Sequence, residues 1–330
     1  MSNPLTAIET ATPRVSVVMS VYNGATHLPH AVASVLAQTW TDFEFLIVDD
    51  GSTDATPSLL STYQQADRRV RVITQTNAGL TQALIRGCAE ARGEFIARHD
   101  ADDWSEPTRL AEQIGLLETD PSIGFVSCAT QYVGPNDEPL EVVSRNDSPA
   151  EATRKLLDER MGPPAHGSVM FRRALYESVG GYRAEFYFGQ DSDLWMRLAE
   201  RTHIAYTNTT LYSWRRSLEG ISGASADIQR VFGELGRECR AARQSGQSEA
   251  EPLAAAARLC ETVGHQRQPN GSRRGQSTMA YLIGSTLKTQ GDRRAAAYFW
   301  RAVKLDPLNW RAWMRLITPF IGTNVPSRSR

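Results

Sequence analysis

Three carboxylates, Asp100, Asp102 and Asp103, lie close together in the segment FIARHDADDW, directly after an apolar run. Acidic residues in such a position often form only a turn or a helix cap, and that reading stays open here. Three neighbouring carboxylates nevertheless repel one another unless a positive charge offsets them. Mg²⁺ typically uses one or two carboxylates together with substrate phosphates. The segment therefore suggests that Mg²⁺ or Mn²⁺ bridges a nucleoside diphosphate to the protein.

Alternating strands and helices must position these acids. Four short apolar or β-branched runs are typical of buried parallel strands: RVSVVMS (14–20), FEFLIV (43–48), RVRVIT (69–74) and EFIARHD (94–100). Between them, HLPHAVASVLAQ and GLTQALIRGCAEA carry apolar residues at helical spacing. This alternation predicts an α/β fold, a mostly parallel sheet with helices on both faces.

Polar residues follow all four predicted strands, at the end where parallel sheets bind their ligands. They are Ser20, Tyr22 and Asn23 after the first strand, Asp49, Asp50, Gly51 and Ser52 after the second, Asn77 and Gly79 after the third, and the three acids after the fourth. We expect these side chains to line one crevice.

An ordered set of motifs resembles the inverting nucleotide-sugar glycosyltransferases of family 2, which have the GT-A fold. The motifs are VSVVMSVYNG, LAQTWTDFEFLIVDDGSTDAT, NAGLTQAL, ARGEFIARHDADDW, HGSVMFRR, GGYR and FGQDSDLWMRL. One motif alone is weak evidence, but the ordered set across 14–222 is specific. The resemblance implies a Rossmann-like GT-A domain. It also implies transfer from a nucleotide diphosphate sugar, expected to be a UDP-sugar, to a saccharide or lipid-linked hydroxyl in cell-surface polysaccharide synthesis.

The resemblance also implies which residues contact the nucleotide-sugar. They are Ser20, Tyr22, Asn23, Asp50, Asn77, Gly79, Arg98, Asp100, Asp102 and Arg215. Tyr22 would flank the base and Asp50 would hydrogen-bond its edge, whereas Asp49 would be structural. Asn77 and Gly79 would border the nucleotide.

The acids match the family's DxD element, in which Asp102 and Asp103 would hold the metal and Asp100 would face the ribose. Arg98 directly precedes them, and two roles stay open for it: contact with a phosphate, or a salt bridge that holds the aspartates. Arg215 in LYSWRR resembles a basic residue that faces the diphosphate, with Arg216 as the alternative.

Asp191 in GQDSDLW matches the catalytic base of the family, which usually follows a Glu. Gln190 stands in that place here, so a negative neighbour is lost and Asp191 should be a weaker base. On the acceptor side the resemblance points to Gln190 and His166, for which a purely structural role is equally open. Ile85 replaces an Asn that many relatives carry, which puts the contacts of that loop in doubt.

Composition sets the class of the protein. Of 330 residues, 41% are hydrophobic and 22% charged, as in soluble globular proteins. The start MSNPLTAIETATPR has no signal-peptide pattern, and the four cysteines have no metal-ligand spacing. We expect a cytoplasmic protein that does not bind nucleic acid.

The C-terminal part is basic: residues 267–330 contain twelve Lys and Arg but two acids, a balance of about +10. The stretch from Ala280 to Trp313 resembles one tetratricopeptide repeat. Its tryptophans and arginines suit an anionic membrane interface, which would make the protein peripheral at the inner face of the membrane. The alternative is that the aromatic residues only pack the helical hairpin.

Four segments follow from these patterns: a flexible N-terminus (1–12), a GT-A domain (13–222), a helical linker region (223–275) and a tetratricopeptide-like tail (276–330). Two rival functions remain. A nucleotidyltransferase would show a Gly-rich basic loop after the first strand, which MSVYNGATHL lacks. A catalytically inactive, transferase-like adaptor is kept open by Gln190 and Ile85.

Overall fold

The computed structural model describes residues 12–218, 226–265 and 272–318. Two compact units make up the chain. The first takes the residues up to 129 together with 145–184 and 194–212. The second takes 130–144, 185–193 and the residues from 213 onward. The proposed boundary between 222 and 223 lies outside the described residues, whereas the one between 275 and 276 falls within the helix Arg273–Thr289.

Four parallel strands form the start of the sheet, in the spatial order β3-β2-β1-β4. They are β1 (Val15–Val21), β2 (Phe43–Asp49), β3 (Val70–Thr74) and β4 (Phe95–Asp100). The helices between them are α1 (Leu28–Leu36), α2 (Thr56–Ala66) and α3 (Leu80–Ala89). The predicted α/β architecture is confirmed, and each strand begins and ends within one residue of its predicted run.

The sheet continues beyond β4 in the order β8-β6-β9-β5, with β7 paired to β6. The remaining strands are β5 (Trp104–Ser105), β6 (Ile123–Val133), β7 (Pro139–Val143), β8 (Met170–Arg172) and β9 (His203–Arg215). The helices are α4 (Arg109–Thr119), α5 (Pro149–Glu159), α6 (Arg173–Ser178) and α7 (Gln190–Ala199), with a 3₁₀ turn at His166–Ser168. Because β8 is antiparallel to both β4 and β6, the sheet is mixed on this side.

Apolar side chains cover both faces of the parallel strands. Val17 and Met19 of β1 belong to one buried cluster, whereas Val18 belongs to the other, as the alternation of a strand requires. Each fully buried side chain of this size contributes about 1.5–3 kcal/mol. Burial on both faces explains why these strands read as continuous apolar runs.

Five helices form most of the second unit: α8 (Ala226–Gln244), α9 (Ala250–His265), α10 (Arg273–Thr289), α11 (Ala295–Leu305) and α12 (Trp310–Ile317). Residues 245–249 connect α8 and α9, and α10 begins at Arg273. Ser272 caps this helix by accepting a hydrogen bond from the Gly275 N–H at 3.1 Å.

The helices α10 and α11 form the tetratricopeptide-like pair. A Cβ added at Gly284 would lie 3.0 Å from the Phe299 ring, so a small residue is needed where the two helices pack. The second helix ends at Leu305, directly before Asp306-Pro307, because a proline disfavours the helical conformation in the residue before it. Across the described ranges, none of the helices combines the length and apolar content needed to span a bilayer.

Candidate active site

The ends of three strands meet in the first unit. In the register of the sheet, Ser20 lies opposite Asp100 and Val21 lies opposite Asp49. The residues that follow β1, β2 and β4 therefore emerge at one edge. The ends of these strands thus lie together as predicted, whereas the crevice between them stays a prediction.

Asp50 joins the end of β2 to the loop that precedes α3. Its Oδ1 accepts hydrogen bonds from Gln75 Nε2 (2.7 Å) and the Ala78 N–H (2.8 Å), and its Oδ2 accepts one from the Gly79 N–H (2.8 Å). Gly79 has a φ of 91°, which favours glycine at this helix start. This loop also carries Asn77, and Asp50 is the anchor that fixes it.

The turn at Gly51 brings the same two loops into close contact. Gly51 has a φ of 76°, and a Cβ there would lie 2.8 Å from the Asn77 nitrogen. Asp49, 1% exposed, accepts a hydrogen bond from the Ser52 N–H at 3.0 Å. This contact fits the structural role expected for Asp49.

Asn23 connects the loop after β1 to the loop after β2. Its backbone has a left-handed φ of 51°, and its Oδ1 accepts from the Thr53 N–H at 2.8 Å. Its own N–H donates to Ser52 Oγ at 2.9 Å. The neighbouring Tyr22 is 51% exposed at the strand end. Asn23 therefore shapes the loop, while Tyr22 presents an aromatic ring to solvent.

Arg98 lies beneath the acids with no exposed surface. Its Nη1 donates to the carbonyls of Val18 (3.0 Å) and His99 (2.7 Å), and its Nη2 forms an ion pair with Asp100. Of the two roles left open by the sequence, the salt bridge is the arrangement observed. The contact with a phosphate that the sequence also left open for Arg98 stays a prediction.

The charge of Asp100 follows from this pair. Burial alone would raise the pKa of Asp100, but the Arg98 guanidinium and His166 lower it below its usual range. Asp100 is thus ionised at neutral pH. It presents one carboxylate oxygen to Arg98 and keeps a partly exposed side chain at the strand end.

Tyr212 on β9 anchors Asp103, and it was not singled out from the sequence. Its hydroxyl donates to Asp103 Oδ2 at 2.7 Å and accepts from the Asp100 N–H at 3.1 Å. Burial and then Asp103 raise the pKa of Tyr212 well above its usual range, so the hydroxyl keeps its proton. A side chain at position 167 would overlap the Tyr212 hydroxyl, so the glycine there leaves room for it. The tyrosine three residues before Arg215 in LYSWRR was the available signal.

The three acids differ in what they offer a cation. Asp103 is 1% exposed and tied to Tyr212, and Asp100 is paired with Arg98, whereas Asp102 is half-buried. Among the residues that the structure describes, no three His, Cys, Asp or Glu side chains form a ready metal-ligand group. This donor set fits an ion held by one or two carboxylates that takes its other ligands from substrate phosphates and water.

His166 lies close to the same buried arginine. Its Nε2 is 2.6 Å from the Tyr182 hydroxyl and 3.4 Å from Arg98 Nε, which donates to it. Trp195 packs edge-on against the imidazole at 5.8 Å and is 4% exposed, so it belongs to the core. Ile85 likewise packs against an apolar cluster.

His99 is a buried histidine held neutral beneath the acids. Its Nδ1 donates to the Asp100 carbonyl at 2.8 Å, its ring meets Tyr212 edge-on, and its Nε2 has no hydrogen-bond partner within the described residues. Burial and then the positive charge of Arg109 lower the pKa of His99 to about 3, with Arg98 adding to the effect and Asp100 opposing it.

This histidine should make the folded protein sensitive to acid. Between about pH 6.5 and pH 3 the unfolded chain binds a proton at His99 and the folded chain does not, so stability falls as pH falls. Between pH 7 and pH 5, His99 should lower the free energy of unfolding of the wild type by about 2 kcal/mol, and the His99→Asn variant should lack this part of the decrease. Urea unfolding at the two pH values measures the difference. The exposed His30→Gln is the control and should keep the wild-type difference. An unchanged pH dependence in His99→Asn would contradict this assignment.

Gln190 and Asp191 begin α7 in the second unit. Asp191 is half-buried, and its Oδ1 accepts from the Ser192 N–H at 2.7 Å. Gln190 is 7% exposed. The preceding residues Phe186 and Phe188 each pack 6.1 Å from Phe232 of α8. The region predicted as a linker therefore fixes the segment that carries Asp191.

Arg215 also belongs to the second unit. It is 6% exposed, pairs with Asp137 at 2.6 Å and donates to the Pro135 carbonyl at 3.2 Å. Its alternative, Arg216, pairs with Glu141 at 2.8 Å and stacks over the Tyr132 ring. Both guanidinium groups are thus engaged with the β6–β7 turn region.

Comparison with known proteins assigns the family. The model of "Glycosyl transferase family 2" matches residues 16–180, half of the chain. The putative glycosyltransferase EpsE of Bacillus subtilis is 30% identical over 218 residues, which are 64% of this chain and 77% of EpsE. The chain belongs to glycosyltransferase family 2. The predicted family, fold and enzyme class are therefore confirmed.

Other similarities agree with this family. The putative glycosyltransferase EpsH of the same organism is 32% identical over 64% of this chain, but the match spans only 63% of EpsH. Mannosyltransferase PcManGT of Pyrobaculum calidifontis, solved with GDP-Man and Mn²⁺, has a TM-score of 0.53 at 22% identity, covering 93% of this chain and 84% of that one. TarS of S. aureus, solved with UDP-GlcNAc, has a TM-score of 0.55 at 18% identity, covering 90% and 89%. Both structures support the fold.

The C-terminal helices have a similarity of their own. The model "Anaphase promoting complex subunit 8 / Cdc23" matches residues 237–323. This match agrees with the paired packing of α10 and α11. The family 2 domain is thus followed by a tetratricopeptide-like segment.

Proposed function

We propose that this glycosyltransferase is metal-dependent and inverting, and that it uses a nucleotide diphosphate sugar, in the first instance a UDP-sugar. The observation that carries the proposal is the strand-end site, in which ionised Asp100, half-buried Asp102 and exposed Tyr22 lie at one edge of the sheet. An acidic edge of this kind needs a cation before it can accept a diphosphate.

The donor would bind along the ends of β1, β2 and β4. Tyr22 offers a free ring face for stacking on the base. The Asp50 carboxylate can accept about four hydrogen bonds, and three of these come from the 75–79 loop. One acceptor position on Oδ2 is therefore left for an N–H of the base. Asp100 faces the ribose side, and Ser20, Asn77 and Gly79 border the nucleotide.

Asp102 and Asp103 are the proposed metal ligands, of which Asp102 is half-buried and Asp103 is buried. A bound Mg²⁺ or Mn²⁺ supplies positive charge that stabilises the departing diphosphate. Arg98 keeps Asp100 ionised, and Tyr212 fixes the direction of Asp103. The chain's own residues thus hold the acids ready, which lowers the reorganisation needed when donor and ion bind.

Asp191 is the proposed general base. It would take the proton of the acceptor hydroxyl as the oxygen attacks the anomeric carbon opposite the leaving nucleotide. A single displacement of this kind inverts the configuration. Beyond its bond to the Ser192 N–H, Asp191 keeps Oδ2 for this proton. Gln190 and His166 are the proposed acceptor-side residues.

The acceptor is proposed to be a hydroxyl of a saccharide or lipid-linked saccharide used in cell-surface polysaccharide synthesis. The basic tail would bring the enzyme to the cytoplasmic face of the membrane, where a lipid-linked acceptor is presented. The excess of basic residues in 267–330 supports this placement.

Release of nucleoside diphosphate tests the function. The full chain is incubated with Mn²⁺ or Mg²⁺ and a panel of UDP- and GDP-sugars, and the released diphosphate is measured with and without chelator. We expect turnover with one donor and its loss on chelation. Release of pyrophosphate from a nucleoside triphosphate and a sugar phosphate would instead indicate a nucleotidyltransferase. Binding of donors without turnover of any would indicate the inactive adaptor.

Tyr212→Phe should weaken the acid site without emptying it. The loss of a buried hydrogen bond to a charged group costs about 1.5–3 kcal/mol of stability, and the Mn²⁺ concentration that gives half-maximal activity should rise. Urea unfolding and metal titration of diphosphate release measure both effects.

Tyr206→Phe is the matched control, because the buried Tyr206 hydroxyl has no hydrogen-bond partner within the described residues. Its removal should leave stability and metal dependence at or above the wild-type level. Equal behaviour of the two variants would refute a role for Tyr212 in holding Asp103.

A further inference from the structure

Exposed apolar side chains are concentrated in the tetratricopeptide-like segment. Of the ten large apolar side chains exposed in the described ranges, seven lie between Leu282 and Ile317. Five of these form the tryptophan face: Trp300, Trp310, Trp313, Met314 and Ile317, exposed by 51, 67, 39, 52 and 75%. The alternative, in which these aromatic residues only pack the hairpin, does not agree with this exposure.

The helix α12 has an inner side that packs on the hairpin and an apolar side that does not. Ala312 is fully buried and Leu316 packs against the core of the hairpin, so these residues form the inner side. Trp310, Trp313, Met314 and Ile317 follow the spacing of one helical face and point away from that core. An amphipathic helix normally buries its apolar side, whereas this one exposes most of it.

The apolar side continues onto the neighbouring helix. The Trp313 ring meets the Trp300 ring of α11 edge-on at 5.8 Å. Trp313 also donates its Nε1–H to the Pro307 carbonyl at 3.1 Å, which fixes the ring. Lys288 caps the other end of α12 by donating to the carbonyls of Arg315 and Thr318. The tryptophan face is therefore a fixed surface built from two helices.

Basic side chains border this face. Arg311 and Arg315, four residues apart, are both exposed, and the Arg311 guanidinium lies 5.8 Å from the Trp310 ring. A groove of about 320 Å³ is lined by Tyr281, Trp310, Arg311, Met314, Arg315 and Thr318. It combines two cations with apolar walls, as the junction of a lipid phosphate and its acyl chains requires.

We infer that the tryptophan face docks on an anionic phospholipid surface, with Arg311 and Arg315 at the phosphates and the tryptophans at the headgroup level. Tryptophan prefers this depth, and each nearby basic residue strengthens attraction to anionic lipid. A second copy would bring the same excess of about +10 in 267–330 to the contact, which opposes self-association. The tryptophan face would thus be the surface that makes the proposed membrane contact of the basic tail. Its binding to lipid does not depend on sugar transfer.

Co-sedimentation of the full chain with vesicles, without donor or acceptor, tests the inference. We expect binding to phosphatidylcholine vesicles that contain about one third phosphatidylglycerol, weak binding to pure phosphatidylcholine, and a blue shift of tryptophan fluorescence. Trp310→Ser with Ile317→Ser should weaken binding at least about ten-fold. Arg311→Gln with Arg315→Gln should weaken it about thirty-fold.

Matched controls lie elsewhere in the second unit. Val142→Ser with Val231→Ser removes exposed apolar side chains, and Arg230→Gln with Arg237→Gln removes exposed charges. Both should bind vesicles as the wild type does. Lack of binding by the full chain, or equal binding by all variants, would overturn the inference. The inference would also be overturned if sedimentation velocity showed a dimer that dissociates only in the variant with Trp310→Ser and Ile317→Ser.

Discussion

Asp191→Asn is expected to lower the rate of sugar transfer about 10³-fold while nucleotide affinity stays within about two-fold of wild type. Asparagine has the shape of aspartate and keeps an oxygen for the Ser192 N–H, so the start of α7 should be preserved. It cannot take a proton from an acceptor hydroxyl. Single-turnover transfer and calorimetric titration with nucleoside diphosphate separate the two effects.

Asp193→Asn distinguishes Asp191 from its neighbour in the same turn. Asp193 is 1% exposed, so its change should affect stability more than chemistry. A variant pair in which Asp193→Asn loses transfer and Asp191→Asn retains it would reassign the base. Loss of nucleotide affinity in Asp191→Asn, with transfer retained, would contradict the proposed mechanism outright.

Arg98→Met is expected to cost about 3–5 kcal/mol of folding free energy, the largest effect on stability that the site offers. Methionine fills a similar volume, but it leaves Asp100 without a counter-charge and the Val18 and His99 carbonyls without a donor. The pKa of Asp100 is lowered in the folded protein, so the pair stabilises at neutral pH. That contribution is lost as pH falls below the usual aspartate range.

Adding Asp100→Asn to Arg98→Met should restore part of the stability at pH 7, because the uncompensated charge is then removed. Arg154→Met is the control, since Arg154 pairs with Glu151 and Glu159 on an exposed helix surface. It should leave the unfolding midpoint unchanged. A wild-type midpoint for Arg98→Met would show that the ion pair does not support the fold.

The sequence was most informative where periodicity and chemistry agreed. The runs around Val17, Ile47 and Ile96 are apolar because both faces of a parallel strand are buried, so strand positions and the polar edge could be predicted directly. The motif order predicted the family, which the comparisons confirm. These features depend on local spacing, which a linear sequence records.

Contacts between distant segments could not be predicted in the same way. Tyr212 lies 109 positions after Asp103, yet its hydroxyl holds this acid, and spacing along the chain does not show that the two residues meet. For a related reason, the sequence left open whether the apolar residues of α12 pack the hairpin or face outward. Amphipathic spacing shows that one side of a helix is apolar, but not which side the neighbouring helices cover.

The contact of Phe186 and Phe188 with Phe232 has a practical consequence for how this enzyme can be cut. A fragment that stops at residue 222 would keep both phenylalanines but lose the helices α8 and α9 that bury them. Such a fragment would expose aromatic surface directly before the proposed base, so poor solubility and inactivity would accompany each other. We therefore expect that the family 2 domain cannot be transferred to another protein without α8 and α9. Chimaeric enzymes should have their junction C-terminal to α9.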